Sequence, residues 1–186
     1  MKRVPIPKPE TTKIVFIDVQ EKLVAAMPES FPAVVAKQKI LLEGAKSLGT
    51  RVLVTEQYPR GLGPTIGELS SLFDPEWPVL EKTAFSALGE PSVRTELAKT
   101  PTETIVVAGV ETHVCVLQTA IESLEKGWNT IVLADAVESR NALDKQTALA
   151  AAESAGAWIL TVESLLFALT RDAKNPAFKT ISKLVR

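Results

Sequence analysis

The sequence predicts an α/β fold, a three-layer α/β/α domain doubly wound around a mostly parallel, Rossmann-like sheet. Two observations carry this reading. Short β-branched runs alternate along the chain with longer segments of helical spacing, and strands separated by helices imply right-handed crossovers with both sheet faces covered. The runs are also apolar almost throughout rather than alternating, as strands buried on both faces are. At 186 residues, 46% hydrophobic and 23% charged, the chain suits one globular domain. Residues 1–186 are read as that domain, with its core from 13 to 161 and helices closing the chain to 186.

In order, Lys13-Ile14-Val15-Phe16-Ile17-Asp18 is the first strand, ending in an acid. Phe31 to Leu48 carries Val34, Leu41, Ala45 and Leu48 at helical spacing, and Gly49 is placed to stop it. Arg51 to Thr55 is the second strand. Tyr58 to Pro64, rich in Gly and Pro, reads as a loop before a short helix around Thr65 to Ser71. Pro75 and Pro78 break the chain again and leave Val79 to Lys82 as a short extended piece. A helix over Glu90 to Lys99, with Pro91 in its first turn, precedes the third long strand, Thr104 to Ala108. Val114, Leu117, Ile121 and Leu124 then mark one face of a helix that Gly127 ends. Thr130 to Asp135 and Trp158 to Thr161 are further strands, with helices near 144–154, 164–169 and 178–184.

The composition excludes several classes of function. A net charge of −1 offers no basic field for nucleic acid or an anionic membrane surface. No apolar run approaches the ~20 residues a bilayer span requires, and Met1 to Glu10 lacks the apolar segment of a secretory signal. A cytoplasmic, reducing setting is the expectation.

Ligands of open parallel sheets bind outside the carboxyl ends of the strands. Asp18, Lys82 and Cys115 all fall at such ends. Cys115 is the chain's one cysteine, so it forms no internal disulfide and no multi-thiolate zinc site. It is either an inert buried small residue or a nucleophile. An acid at a strand end is commonly a cap, and a lone lysine is commonly solvated. Together the three form a self-consistent site: a carboxylate to take the thiol proton, and an ammonium and a helix N-terminus to favour the thiolate. A thiol pKa below the ordinary value is therefore expected.

Three motifs, Asp18-Val19-Gln20, Glu81-Lys82-Thr83-Ala84-Phe85-Ser86 and Gly109 to Cys115, resemble those of the isochorismatase-like cysteine hydrolases, in the same order. The string Thr55 to Thr65 looks like the branch of isochorismatase domain-containing proteins. The resemblance implies Cys115 as nucleophile, Asp18 as general base then acid, and Lys82 as the partner of both. It also implies a cis peptide at Val110–Glu111 that aims the Glu111 N–H beside the Cys115 N–H as an oxyanion hole. Homo-oligomers are common in the family. Nicotinamidases of the superfamily bind a metal through a strand-end Asp-x-His and a further histidine. Here Glu56-Gln57-Tyr58 occupies that region and His113 is the one histidine, so neither a metal nor any other cofactor is expected. Vinyl-ether cleavage of isochorismate would leave a thiol nucleophile idle.

Candidate substrate-binding residues are Gln20, Gln57, Tyr58, Phe85 and His113. Gln20 either orients Asp18 or caps the turn, and His113 either lines the pocket or serves the first helical turn. Tyr58, Trp77 and Phe85 form a candidate apolar wall, with the pocket shaped by loops 57–64 and 74–79. Ser139 and Arg140 either anchor a substrate carboxylate or make a cap and a surface ion pair. The expected activity is metal-independent hydrolysis of a small amide, carbamoyl or ureido C–N bond through an acyl-enzyme on Cys115. The small-molecule substrate is the one partner expected besides further copies of the chain. A non-catalytic oligomeric interaction protein, or a thiol sensor, is the alternative.

Overall fold

Six parallel strands, ordered β3-β2-β1-β4-β5-β6, form the sheet of a computed structural model that describes residues 6–186. The expected lack of a leader over Met1 to Glu10 falls partly on residues 1–5, outside the described residues. The strands are β1 (Thr12–Ile17), β2 (Arg51–Gln57), β3 (Val79–Lys82), β4 (Thr104–Val110), β5 (Asn129–Glu138) and β6 (Trp158–Leu160). Helices α1 (Glu21–Val24), α2 (Phe31–Leu48), α3 (Pro59–Leu62), α4 (Gly67–Ser70), α5 (Pro91–Ala98), α6 (Leu117–Glu125), α7 (Ala142–Ala155), α8 (Val162–Thr170) and α9 (Phe178–Leu184) fill the connections. The extended piece at 79–82 is thus an edge strand, paired to β2 with Gln57 opposite Lys82.

The period of two along a strand explains why β1 is apolar at every core position. Ile14 and Phe16 enter a cluster with Leu41, Leu42, Leu165, Leu166 and Ile181, from α2, α8 and α9. Val15 and Ile17 point the other way, to Val93, Leu97, Val116 and Ala152 of α5, α6 and α7 or their edges. At about 1.5–3 kcal/mol per buried large aliphatic side chain, a slip by one residue would reverse both sets, which fixes the register.

The order in which strands are added reverses between β1 and β4, the switch point where such folds bind ligands. Gly109 permits the close approach there. Its φ is +129°, and a Cβ would lie 2.1 Å from the Ile17 carbonyl oxygen. The β4–β5 register also shifts between Val107 and Gly109.

Lys13 is buried and donates to the carbonyls of Leu97 and Thr100 at 2.5 and 3.2 Å. It closes the carboxyl end of α5, where carbonyls lack helical partners. Burial, together with Arg51, holds its ammonium below the usual lysine range.

Candidate active site

The carboxyl ends of β1, β3 and β4 bring Asp18, Lys82 and Cys115 together. Asp18 follows β1 in a left-handed conformation, φ +54°, and its side chain is wholly buried. Thr55 on the neighbouring strand donates to its Oδ1 at 2.7 Å. Its Oδ2 lies 2.7 Å from Lys82 Nζ, yet no donor is aligned with that oxygen.

Lys82, fully buried at its side chain, is held on several sides. Its ammonium donates to Gln57 Oε1 at 2.7 Å, to the carbonyls of Ala84 and Phe85 at 3.1 and 3.0 Å, and to Cys115 Sγ at 3.6 Å. A buried cation is tolerable only when paired and hydrogen-bonded in this way.

Cys115 sits in a π-helical turn, Thr112–Val116, between β4 and α6. Single π turns often mark functional positions. Its Thr112 start is set by Glu111, which takes a left-handed φ of 56° and accepts the N–H groups of Val114 and Val116 at 2.9 and 3.4 Å. The thiol is pushed up to about 12, opposite to the expected depression. Burial is the largest cause and the Asp18 charge the second, and Lys82 offsets them in part. Nearby positive charge and a helix N-terminus favour the thiolate, but the desolvation that closure of the site imposes outweighs them. Burial and the neighbouring Asp18 carboxylate thus favour the thiol form of Cys115.

Other expectations need correcting. Among the described residues no peptide bond is cis, so Val110–Glu111 is trans, and Glu111 follows it with a left-handed φ of 56°. The Gln20 side chain is turned to Gln57 and Gly63 and makes no hydrogen bond to Asp18. It is buried, donates to the carbonyls of Gln57 and Gly63 at 3.0 and 2.6 Å, and accepts the Gln57 N–H at 2.7 Å. Every polar atom of its amide is thereby spent on clamping the 57–64 loop to the strand end. Gln57 is turned to Lys82 and to the Thr83 carbonyl. Tyr58 and Phe85 stand exposed at the same end of the sheet.

Trp77, however, lies at the opposite, amino end with Lys46 over its ring, together with the 74–78 loop. A cavity of about 180 Å³ opens there, and another of about 680 Å³ opens at the amino ends of β5 and β6; neither includes the three converging side chains. Carboxyl-end geometry, not cavity size, identifies the site. His113 is drawn away from Cys115 toward Ser139 Oγ at 3.0 Å, Glu111 Oε2 at 3.4 Å and Asp144 Oδ2 at 3.9 Å. Arg140 Nε donates to Glu111 Oε1 at 2.7 Å, so its charge is taken up in an ion pair. Glu56 binds the N–H and hydroxyl of Thr65 at 2.7 and 2.8 Å. Among the described residues no three His, Cys, Asp or Glu side chains converge as a metal set, and no helix is long and apolar enough to cross a membrane.

Known proteins resemble this chain in sequence and fold. The model of the isochorismatase domain matches residues 12–164. Isochorismatase domain-containing protein 2 of Xenopus laevis is 38% identical over 178 residues, 95% of this chain and 84% of that protein. The structure of the MAR1 ribonuclease from Caenorhabditis elegans superposes with a TM-score of 0.90 at 35% identity, covering 96% of this chain and 91% of that one. The YcaC gene product of Escherichia coli, an octameric hydrolase of unknown specificity, shares the fold at a TM-score of 0.91 and 22% identity, over 99% of this chain and 91% of its own. With its domain matched almost from end to end and a relative well above 30% identity, the chain belongs to the isochorismatase family.

Proposed function

We propose that this protein is a metal-independent cysteine hydrolase that cleaves a small amide, carbamoyl or ureido C–N bond through an acyl-enzyme on Cys115. The observation that carries this reading is the position of Lys82 Nζ, 2.7 Å from Asp18 Oδ2 and 3.6 Å from Cys115 Sγ. Asp18 takes the thiol proton as sulfur adds to the substrate carbonyl carbon. The Glu111 and Cys115 N–H groups meet the resulting oxyanion, each donor lowering the barrier by about 2.7–4 kcal/mol. Asp18 then protonates the leaving nitrogen, the C–N bond breaks, and a water activated by the same carboxylate releases the acid and restores the thiol. The Lys82 ammonium stabilises first the carboxylate, then the thiolate. Gln57 fixes Lys82, while Tyr58 and Phe85 supply the apolar mouth.

A thiol pushed up to about 12 suits proton transfer on substrate binding and opposes the sensor reading, since peroxide reacts with the thiolate. The net charge of −1 supports a small carbonyl compound over a nucleic acid, despite the ribonuclease name of the C. elegans relative. Assembly into a homo-oligomer, in a reducing compartment such as the cytoplasm, belongs to the same reading, and the octameric E. coli protein supports the assembly. A panel of small amides, carbamates and ureido compounds, assayed for released ammonia or amine, tests the activity. Turnover by the wild type should fall by about a thousandfold or more in Cys115→Ala. Turnover that survives loss of the thiol would refute it.

A further inference from the structure

The nucleophile turn contains a second buried carboxylate whose charge the proposed reaction does not use. Glu111 Oε1 accepts Arg140 Nε at 2.7 Å, whereas Oε2 is buried without a hydrogen-bond partner, 3.4 Å from His113 Nδ1. The backbone of the same residue is left-handed, φ 56° and ψ 63°, a conformation that non-glycine residues hold only under outside restraint. Its carbonyl closes the turn bearing Cys115 through Val114 and Val116. Arg140 lies two residues beyond β5, whose Glu138 pairs in register with Val110. One guanidinium therefore ties the nucleophile turn to the neighbouring strand end.

We propose that Arg140 is a positioning residue: by holding the Glu111 carboxylate, it holds the Glu111 peptide N–H where a substrate's carbonyl oxygen becomes charged. The inference rests on the oxyanion role proposed above for Glu111. Arginine suits the task because its planar fork fixes the direction of the N–H as well as the charge. The exposed position of its side chain, 56%, against 9% for Glu111, lets it be replaced without opening the core.

Two reactions of Cys115 separate this role from a general structural one. With p-nitrophenyl acetate, sulfur adds to the carbonyl carbon, its proton passes to Asp18, an oxyanion forms, and p-nitrophenolate leaves. With iodoacetamide, sulfur displaces iodide and loses its proton, and no oxyanion forms. Both rates are measured on the full chain by intact mass and peptide mapping. Arg140→Ala should slow acylation by about tenfold or more while alkylation stays within about twofold, and Arg140→Lys should recover part of the loss. Unchanged acylation, or equal falls in both reactions, would overturn the proposal. A wild type that alkylates at Cys115 but never acylates would instead defeat the acyl-enzyme reading itself, and this role with it.

Discussion

Asp18→Asn should slow turnover by about a hundredfold or more and, at the same time, make Cys115 more reactive toward iodoacetamide. The two effects have separate causes. Turnover needs a base for the thiol proton and an acid for the leaving nitrogen; removing such a group costs about 10²–10⁴ in rate. Simple alkylation needs only thiolate. Asp18 is one of the groups pushing the thiol up to about 12, while Lys82 pulls it down. Without the carboxylate charge the Lys82 contribution meets less opposition, and each unit by which the thiol pKa falls raises the thiolate fraction at pH 8 about tenfold. The substitution suits the backbone, since asparagine tolerates the left-handed φ of +54° at this position. Its cost is a buried ammonium without its carboxylate, about 3–5 kcal/mol. The lower end is expected, because Gln57 and the Ala84 and Phe85 carbonyls still hold the ammonium. Alkylation rates against pH, with thermal unfolding of both proteins, check the prediction. Slower alkylation in the variant would contradict the assigned role of Asp18 in keeping the thiol protonated.

The second large effect falls on Gly109. A Cβ at this position would lie 2.1, 2.6 and 2.7 Å from the oxygen, nitrogen and carbon of Ile17, all main-chain atoms that no rotamer can move aside. The φ of +129° compounds the strain for any L-residue with a side chain. Gly109→Ala must push β4 away from β1 where both lead into the site, and should cost about 4 kcal/mol or more. For a chain of this size that lowers Tm by roughly 8–16 °C. It should also depress the activity of the molecules that remain folded, since Asp18 follows β1 and Cys115 follows β4. Gly49→Ala is the control: φ is +65° but open space surrounds the position, so about 1–2 kcal/mol is expected. A Gly109→Ala melt within a few degrees of wild type would contradict the close strand contact.

What was legible in the sequence follows the range of the interactions involved. Strands buried on both faces announce themselves as apolar β-branched runs, and Gly49 and Gly127 mark helix ends through local backbone needs. The placement of Asp18, Lys82 and Cys115 at strand ends follows from the same local reading. β5 runs to Glu138, beyond the expected Asp135, because its last residues pair with Gly109 and Val110, contacts that no local pattern reports. Gln20 clamps a loop some forty residues away, and His113 turns to Ser139, 26 residues on; both outcomes depend on register across the sheet. The direction of the thiol shift was hidden for the same reason. Charges near Cys115 can be listed from motifs, whereas burial depends on how loops close over the site. The orphaned Glu111 Oε2 and the bond from Arg140 to Oε1 of the same carboxylate lacked a sequence signal beyond the order of residues around Cys115 and after Asp135.

The central claim is that Cys115, a resting thiol, becomes covalently acylated when substrate arrives. Acid-quenching the wild-type protein during turnover of an amide or ureido compound from the active panel, followed by intact mass and peptide mapping, tests it most directly. The account predicts an added mass equal to the substrate's acyl portion, on the peptide containing Cys115 and lost on hydrolysis. Turnover at full rate with Cys115 unmodified at every quench time, and with Cys115→Ala still active, would contradict it.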